Sequence, residues 1–150
     1  MSRSSLVVGW REWLRLPELG VEAIKAKVDT GARTSALHAE NVRIVRGRSG
    51  RASVRFTVHP VQRSGKRAVE AVAPLVGERR VTSSSGSREL RPVIRTVVNI
   101  GSLEWPIEIT LTRRDVMGFR MLLGRQALRG RAVVDPGRSF LTRKAKRRKP

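Results

Sequence analysis

Apolar side chains recur at every second position through much of this chain, and that period limits what its backbone can form. Ala52, Val54, Phe56 and Val58 stand two apart, as do Trp105, Ile107, Ile109 and Leu111. A strand sends successive side chains to opposite faces, so this period buries one face and leaves the other in water. Ala23 to Val28 and Val42 to Val45 alternate in the same way, and Pro92 to Ile100 is dense in β-branched residues. Leu6–Trp10, Trp13–Leu16, Ala68–Val72 and Ala132–Val134 add shorter apolar runs, and Met121 to Leu123 reads as a buried strand ending at a Gly124–Arg125 turn. Ser35 to Ala39 reads as a short strand or a turn. Pro17, Asp29–Gly31, Gly47–Gly50, Pro60–Arg67, Asn99–Ser102 and Asp135–Gly137 break these runs as turns and loops do. Thr82 to Ser87 is a polar segment suited to a mobile loop, and Gln126 to Arg129 is the best candidate for a helix. Short strands at regular spacing predict an all-β domain, mainly β with one short helix, closed as a barrel.

Composition narrows the partners. At 150 residues and 39% hydrophobic, the chain can bury one real core. We expect one domain over residues 1–142 and a basic, disordered tail over 143–150. Lys and Arg number 32 against 12 acidic residues, a net charge of +20. Folding does not require that imbalance, and self-repulsion opposes compaction, so it points to an acidic partner such as RNA or an acidic peptide. Aromatic residues make up only 4% and tyrosine is absent, which disfavours base stacking as the main mode of RNA binding. With no cysteine there is no disulfide framework and no thiolate zinc site. Arg11, Glu12 and Arg15 follow the first apolar run too soon for a signal peptide, and no run is long enough to span a membrane. The expected compartment is the cytoplasm.

One stretch carries chemistry. The alternating run Ile24–Val28 ends at Asp29-Thr30-Gly31-Ala32, a carboxylate beside a glycine that lets backbone approach closely. Taken alone, such a tripeptide is an ordinary turn. A single carboxylate is a weak hydrolytic catalyst. Two held about 3 Å apart share one proton, so that one accepts a proton from water while the other donates a hydrogen bond to a carbonyl. This chain supplies one such acid. Asp135-Pro136-Gly137 is no second copy, because proline fixes φ and removes a donor. A twofold homodimer would bring Asp29 to its symmetry mate.

Val28–Ala32 followed by Leu122-Leu123-Gly124-Arg125-Gln126-Ala127-Leu128 is similar to the retropepsin pattern. The whole chain from Val8 to about Leu141 more closely resembles the RimK-associated, or RimB-like, family called "ATP-dependent zinc proteases". The matching blocks are Val8–Glu12, Lys25–Ala39, Arg91–Ile94, Thr110–Asp115 and Met121–Arg125, in that order. The resemblance implies a retropepsin-like closed β-barrel, the acid protease fold. It implies Asp29 as catalytic acid/base, Thr30, Gly31 and Ala32 as the active-site loop, and Leu123, Gly124 and Arg125 as its support. Thr30 would bond across the dimer axis, and Arg125 would anchor a carboxylate or backbone carbonyls. The family is associated with the enzyme that adds glutamates to a small-subunit ribosomal protein. An oligoglutamate segment is therefore an expected substrate, with Arg33, Arg79, Arg80, Arg88 and Arg91 as candidate substrate-binding residues. Ser83–Gly86 reads equally as a flap or as a solvated hairpin tip.

The family's label implies zinc and ATP, and the residues give neither support. His38 and His59 are the only histidines, fewer than the three protein ligands of a catalytic zinc. Asp29 would make a third, but no local spacing enforces it. There is no phosphate-cradling glycine loop with Lys and Ser or Thr. We expect no metal and no cofactor. Three functions stay open from the sequence: a homodimeric aspartic peptidase, a binding module that regulates a glutamate ligase or docks on ribosome or RNA through the basic tail, and a zinc hydrolase.

Overall fold

The computed structural model of the protein describes residues 6–60, 68–82, 85–113 and 118–142. In chain order the strands are β1 (Leu6–Val8), β2 (Arg11–Leu16), β3 (Val21–Asp29), β4 (Ser35–His38), β5 (Glu40–Arg46), β6 (Ala52–Val58), β7 (Val69–Thr82), β8 (Arg88–Ile100), β9 (Leu103–Thr112), β10 (Met121–Gly124) and β11 (Ala132–Val134). Among the described residues a 3-10 turn, Pro17–Leu19, follows β2, and a four-residue helix, α1 (Arg125–Leu128), follows β10. The helix starts one residue earlier than the sequence suggests.

The alternation produces the expected closure. Strands run in the order β2-β3-β10-β4-β9-β8, and β8 returns to β2 through Arg15 and Asn99, which completes a six-stranded barrel. The inward residues are those on the two-residue period: Ile24, Ala26 and Val28 from β3, Ile107, Ile109 and Leu111 from β9, Ile94, Val98 and Ile100 from β8. Beyond β8 the sheet continues through β7, β6 and β5. Val54, Phe56 and Val58 on β6 bury their period-two face beside Ala71 and Ala73 of β7.

The hairpin of β7 and β8 exceeds the sequence expectation. Glu78 to Val81, which lead into the segment read as a polar loop, and Thr82, its first residue, extend the ladder. Glu78 pairs with Pro92, Arg80 with Leu90 and Thr82 with Arg88. Backbone hydrogen bonds hold this arm together, so apolar alternation is not needed to specify it. The ladder slips by one residue between Leu75 and Gly77, a bulge that leaves Val76 unpaired. Ser83 and Ser84, Val61–Arg67 and the basic tail from Arg143 lie outside the described residues.

A second, two-stranded sheet joins the ends of the described chain, with β1 and β11 parallel. The segment after β11 then crosses β2. Trp10 N–H donates to the Arg138 carbonyl at 2.8 Å and Phe140 N–H to the Arg11 carbonyl at 2.9 Å. A Cβ on Gly9 would collide with the Arg138 carbonyl, so this crossing requires glycine there. The Glu12 carboxylate, fully buried, accepts from Gly9 N–H at 2.6 Å, Leu141 N–H at 2.8 Å, Thr142 N–H at 3.1 Å and the Thr142 hydroxyl at 2.9 Å.

Candidate active site

Asp29 is the last residue of β3, and β3 pairs in parallel with β10, so that Asp29 stands beside Gly124 and Val28 beside Leu123. The chain turns at once. Ala32 N–H donates to the Asp29 carbonyl at 3.1 Å, and Gly31 N–H donates to Asp29 Oδ1 at 2.9 Å. That bond orients the carboxylate with one oxygen fixed. The other oxygen has no partner among the described residues. Thr30 and Gly31 are exposed, and Asp29 is half-buried.

The loop is held from beneath by the second block. Arg125 N–H donates to the Ala32 carbonyl at 2.9 Å, and Gln126 N–H to the Arg33 carbonyl at 3.2 Å. The Arg125 guanidinium reaches the carbonyls of Thr30 and Gly31 at 3.4 and 3.3 Å. Of its two expected roles, it takes the anchoring of backbone carbonyls. Leu123 is fully buried under the loop, and Gly124 lies against the Thr34 backbone too closely for any side chain. One contributor escaped the sequence reading. Ser35, buried at the start of β4, accepts from Gly124 N–H through Oγ at 3.0 Å, while its carbonyl accepts from the Thr110 hydroxyl at 3.1 Å. The available signal was a serine opening the short Ser35–Ala39 segment, just ahead of Ala36 and Leu37.

The five candidate arginines do not form one cluster. Arg33 sits exposed on the loop after Ala32. Arg79 faces Arg91 across the β7–β8 ladder, and Arg91 Nε donates to Glu89 Oε1 at 2.9 Å. Arg80 and Arg88 are exposed on the opposite face of the same arm. The two histidines lie together, away from the Asp29 loop. His59 Nε2 lies 3.1 Å from Glu40 Oε1, and His38 Nε2 is 4.0 Å from Glu40 Oε2. Arg120 closes on His38 Nδ1 at 2.7 Å, which places a cation where a metal would bind. Among the described residues no three acidic, histidine or cysteine side chains converge well enough to hold a metal ion. The described residues do not fit the zinc named in the label of the family that the sequence resembles. Among the described residues no helix is long and apolar enough to cross a membrane.

With this geometry in place, the comparisons with known proteins become specific. The family model described as "RimB-like: Retropepsin-like aspartic endopeptidase RimB" matches residues 7–145. A "Probable alpha-L-glutamate ligase" of Shewanella pealeana is 46% identical over 140 residues, covering 93% of this chain and 30% of that protein. A protein of the same name from Parasynechococcus marenigrum is 47% identical over 131 residues, with 87% and 28% covered. This chain thus spans under a third of the length of these relatives. Among solved structures, a Legionella pneumophila protein of unknown function is 28% identical with a TM-score of 0.76, over 93% of this chain and 99% of that one.

Proposed function

Because the chain belongs to the RimB-like family of retropepsin-like proteins, we propose that it is an aspartic peptidase that works as a homodimer, each copy supplying one Asp29. The single observation that carries this reading is the half-finished state of the Asp29 loop. One carboxylate oxygen is fixed by the Gly31 amide, and the other has no partner among the described residues, beside an exposed Thr30. A symmetric partner completes the pair. The ionised carboxylate then takes a proton from water, the hydroxide adds to the peptide carbonyl, and the other acid, which carries the shared proton, donates it in a hydrogen bond to the developing oxyanion. Collapse breaks the C–N bond, the proton taken from water passes to the leaving amine, and the pair is left again with one shared proton. Thr30 hydroxyls would bond across the axis and keep the two loops in register.

The charge of +20 favours an acidic substrate. A glutamate-rich segment, such as an oligoglutamate tail on a ribosomal protein, fits that field and the ligase name of the relatives. The lack of cysteine suits a reducing compartment, the cytoplasm, and the basic tail would add sequence-independent contact with RNA or the ribosome.

The test is turnover of glutamate-rich and glutamine-substituted peptides at low salt by the parent and by Asp29→Asn. The variant is expected to stay folded and dimeric while losing at least about a thousandfold in turnover. Equal amounts of parent and variant, after exchange of subunits, should show about one quarter of the activity of the same total amount of parent, because only parent pairs carry two carboxylates. Retention of about one half, or a strictly monomeric active protein, sinks the shared site. A second reading rests on the length of the relatives, in which a domain like this one is joined to a much longer ligase-named chain. As a regulatory binding module it would keep its effect on such a ligase when Asp29 is Asn.

A further inference from the structure

Asp29 lies on a face of the sheet that can be traced strand by strand. Residues paired across a ladder share a face, and so do residues two apart along a strand. Asp29 therefore shares its face with Lys27. Lys27 pairs with Leu122, Leu122 with Ala36, Ala36 with Thr110, and Thr110 with Val93. Val93 pairs with Gly77, and the face runs on along the hairpin arm through Arg79 opposite Arg91 and Val81 opposite Glu89. Arg80 and Arg88 stand on the other face, continuous with Ile94 and the barrel core. The bulge at Val76 sets this assignment for β7, since one residue fewer would exchange the two sides. Burial agrees: Arg79 and Arg91 are half-covered, whereas Arg80 and Arg88 are exposed.

On that face the charges do not close. Like charges directly opposite one another destabilise a ladder. Arg79 and Arg91 are such a pair, and Glu89, the carboxylate beside them on this face, bonds to Arg91 alone of the two among the described residues. Glu89 Oε1 accepts from Arg91 Nε at 2.9 Å and from the Thr112 hydroxyl at 3.4 Å, so it is turned toward Arg91 and the barrel. Arg79 has no hydrogen bond or ion pair among the described residues. The geometry points to an anionic subsite on the face of the hairpin that continues the outer surface of the barrel, the surface on which Asp29 also lies. Arg79 there binds a carboxylate side chain of the peptide, Arg91 supplies the second positive charge, and Glu89 with Thr112 fixes Arg91 in place. This rests on the acidic-substrate reading above and narrows it, because it excludes Arg80 and Arg88, which the sequence could not separate from the other two.

The experiment measures binding without turnover, on the full chain carrying Asp29→Asn. Affinities for a fluorescent glutamate-rich peptide and for its glutamine isostere are compared at low salt. Arg79→Gln is expected to cut the glutamate-over-glutamine preference about tenfold or more, in line with loss of a charge-assisted bond. Arg79→Lys should restore part of it, and Arg80→Gln with Arg88→Gln should change it less than about twofold. Unchanged melting temperatures and dimer content show that the variants are folded. A preference that survives Arg79→Gln, or that is lost with Arg80 and Arg88 instead, overturns the subsite alone. If the parent shows no preference for glutamate, the acidic-substrate reading fails and the subsite falls with it.

Discussion

A methyl group added at Gly124 would stand 2.6 Å from the carbonyl carbon and oxygen of Thr34 and 3.0 Å from the Ala32 oxygen. All three are backbone atoms of the segment leading out of the Asp29 loop, so no side chain can swing away to make room. Gly124 also donates its N–H to buried Ser35 and lies beside Asp29 in the ladder. The requirement is thus for the smallest possible residue at the point where two strands and a loop touch. Gly124→Ala is expected to destabilise the protein by about 3 kcal/mol, the upper end of the overpacking range, and to displace the loop it supports. Equilibrium urea denaturation checks the first effect, and amide chemical shifts at Gly31 and Ala32 check the second. A variant with parent stability and an unmoved loop would mean that the close approach is not needed. The contrast with Gly31 is informative. There an added methyl meets only Asp29 Oδ1, at 3.2 Å, so Gly31 serves the carboxylate more than the packing.

Among the elements, the period-two strands were legible because burial alone writes them. The barrel strands β3, β8 and β9 bury alternate residues over most of their barrel portions, which fall where the apolar pattern places them. The support of the Asp29 loop by Leu123, Gly124 and Arg125 was legible only through resemblance, since nothing in a Leu-Leu-Gly-Arg string specifies what it lies under. The distal arm of β7 and β8 was not legible. Its order comes from backbone pairing, and a bulge at Val76 cannot be read from side-chain pattern. Nor could the clamp on the C-terminal segment be read, because a lone Glu12 in a short strand resembles any surface acid. Each Glu12 oxygen accepts two donors: Gly9 and Leu141 on Oε2, the Thr142 amide and hydroxyl on Oε1. Glu12→Gln turns an NH2 toward one of these donor pairs, whichever way the amide points. The expected cost is about 2–4 kcal/mol, from lost charge-assisted bonds and donors left unpaired. Denaturation should report it, together with faster hydrogen exchange at Leu141 and Thr142. Unaltered exchange at those two amides would show that the segment is held by Phe140, stacked on Trp13 and covered by Arg11, and not by the carboxylate.

For the molecule as a whole, the charge of +20 acts in two opposite directions on the proposed chemistry. It draws an acidic peptide in, and it drives two identical copies apart. Salt screens both, with a Debye length of about 10 Å at 0.1 M. Added salt should therefore strengthen the dimer while it weakens the hold on a glutamate-rich substrate. Which effect governs the rate depends on protein concentration. Where protein is dilute and mostly single, the first increments of salt create active pairs, and activity should rise before it falls. Where protein is concentrated and already paired, only the loss of substrate binding remains, and activity should fall from the start. Two salt titrations at widely separated protein concentrations, with the dimer fraction followed by analytical ultracentrifugation, distinguish these regimes. A neutral peptide should show the rise in dilute protein without the later fall. Activity that falls identically at both concentrations would mean that the active species needs no second copy, and that the Asp29 carboxylate finds its partner within one chain.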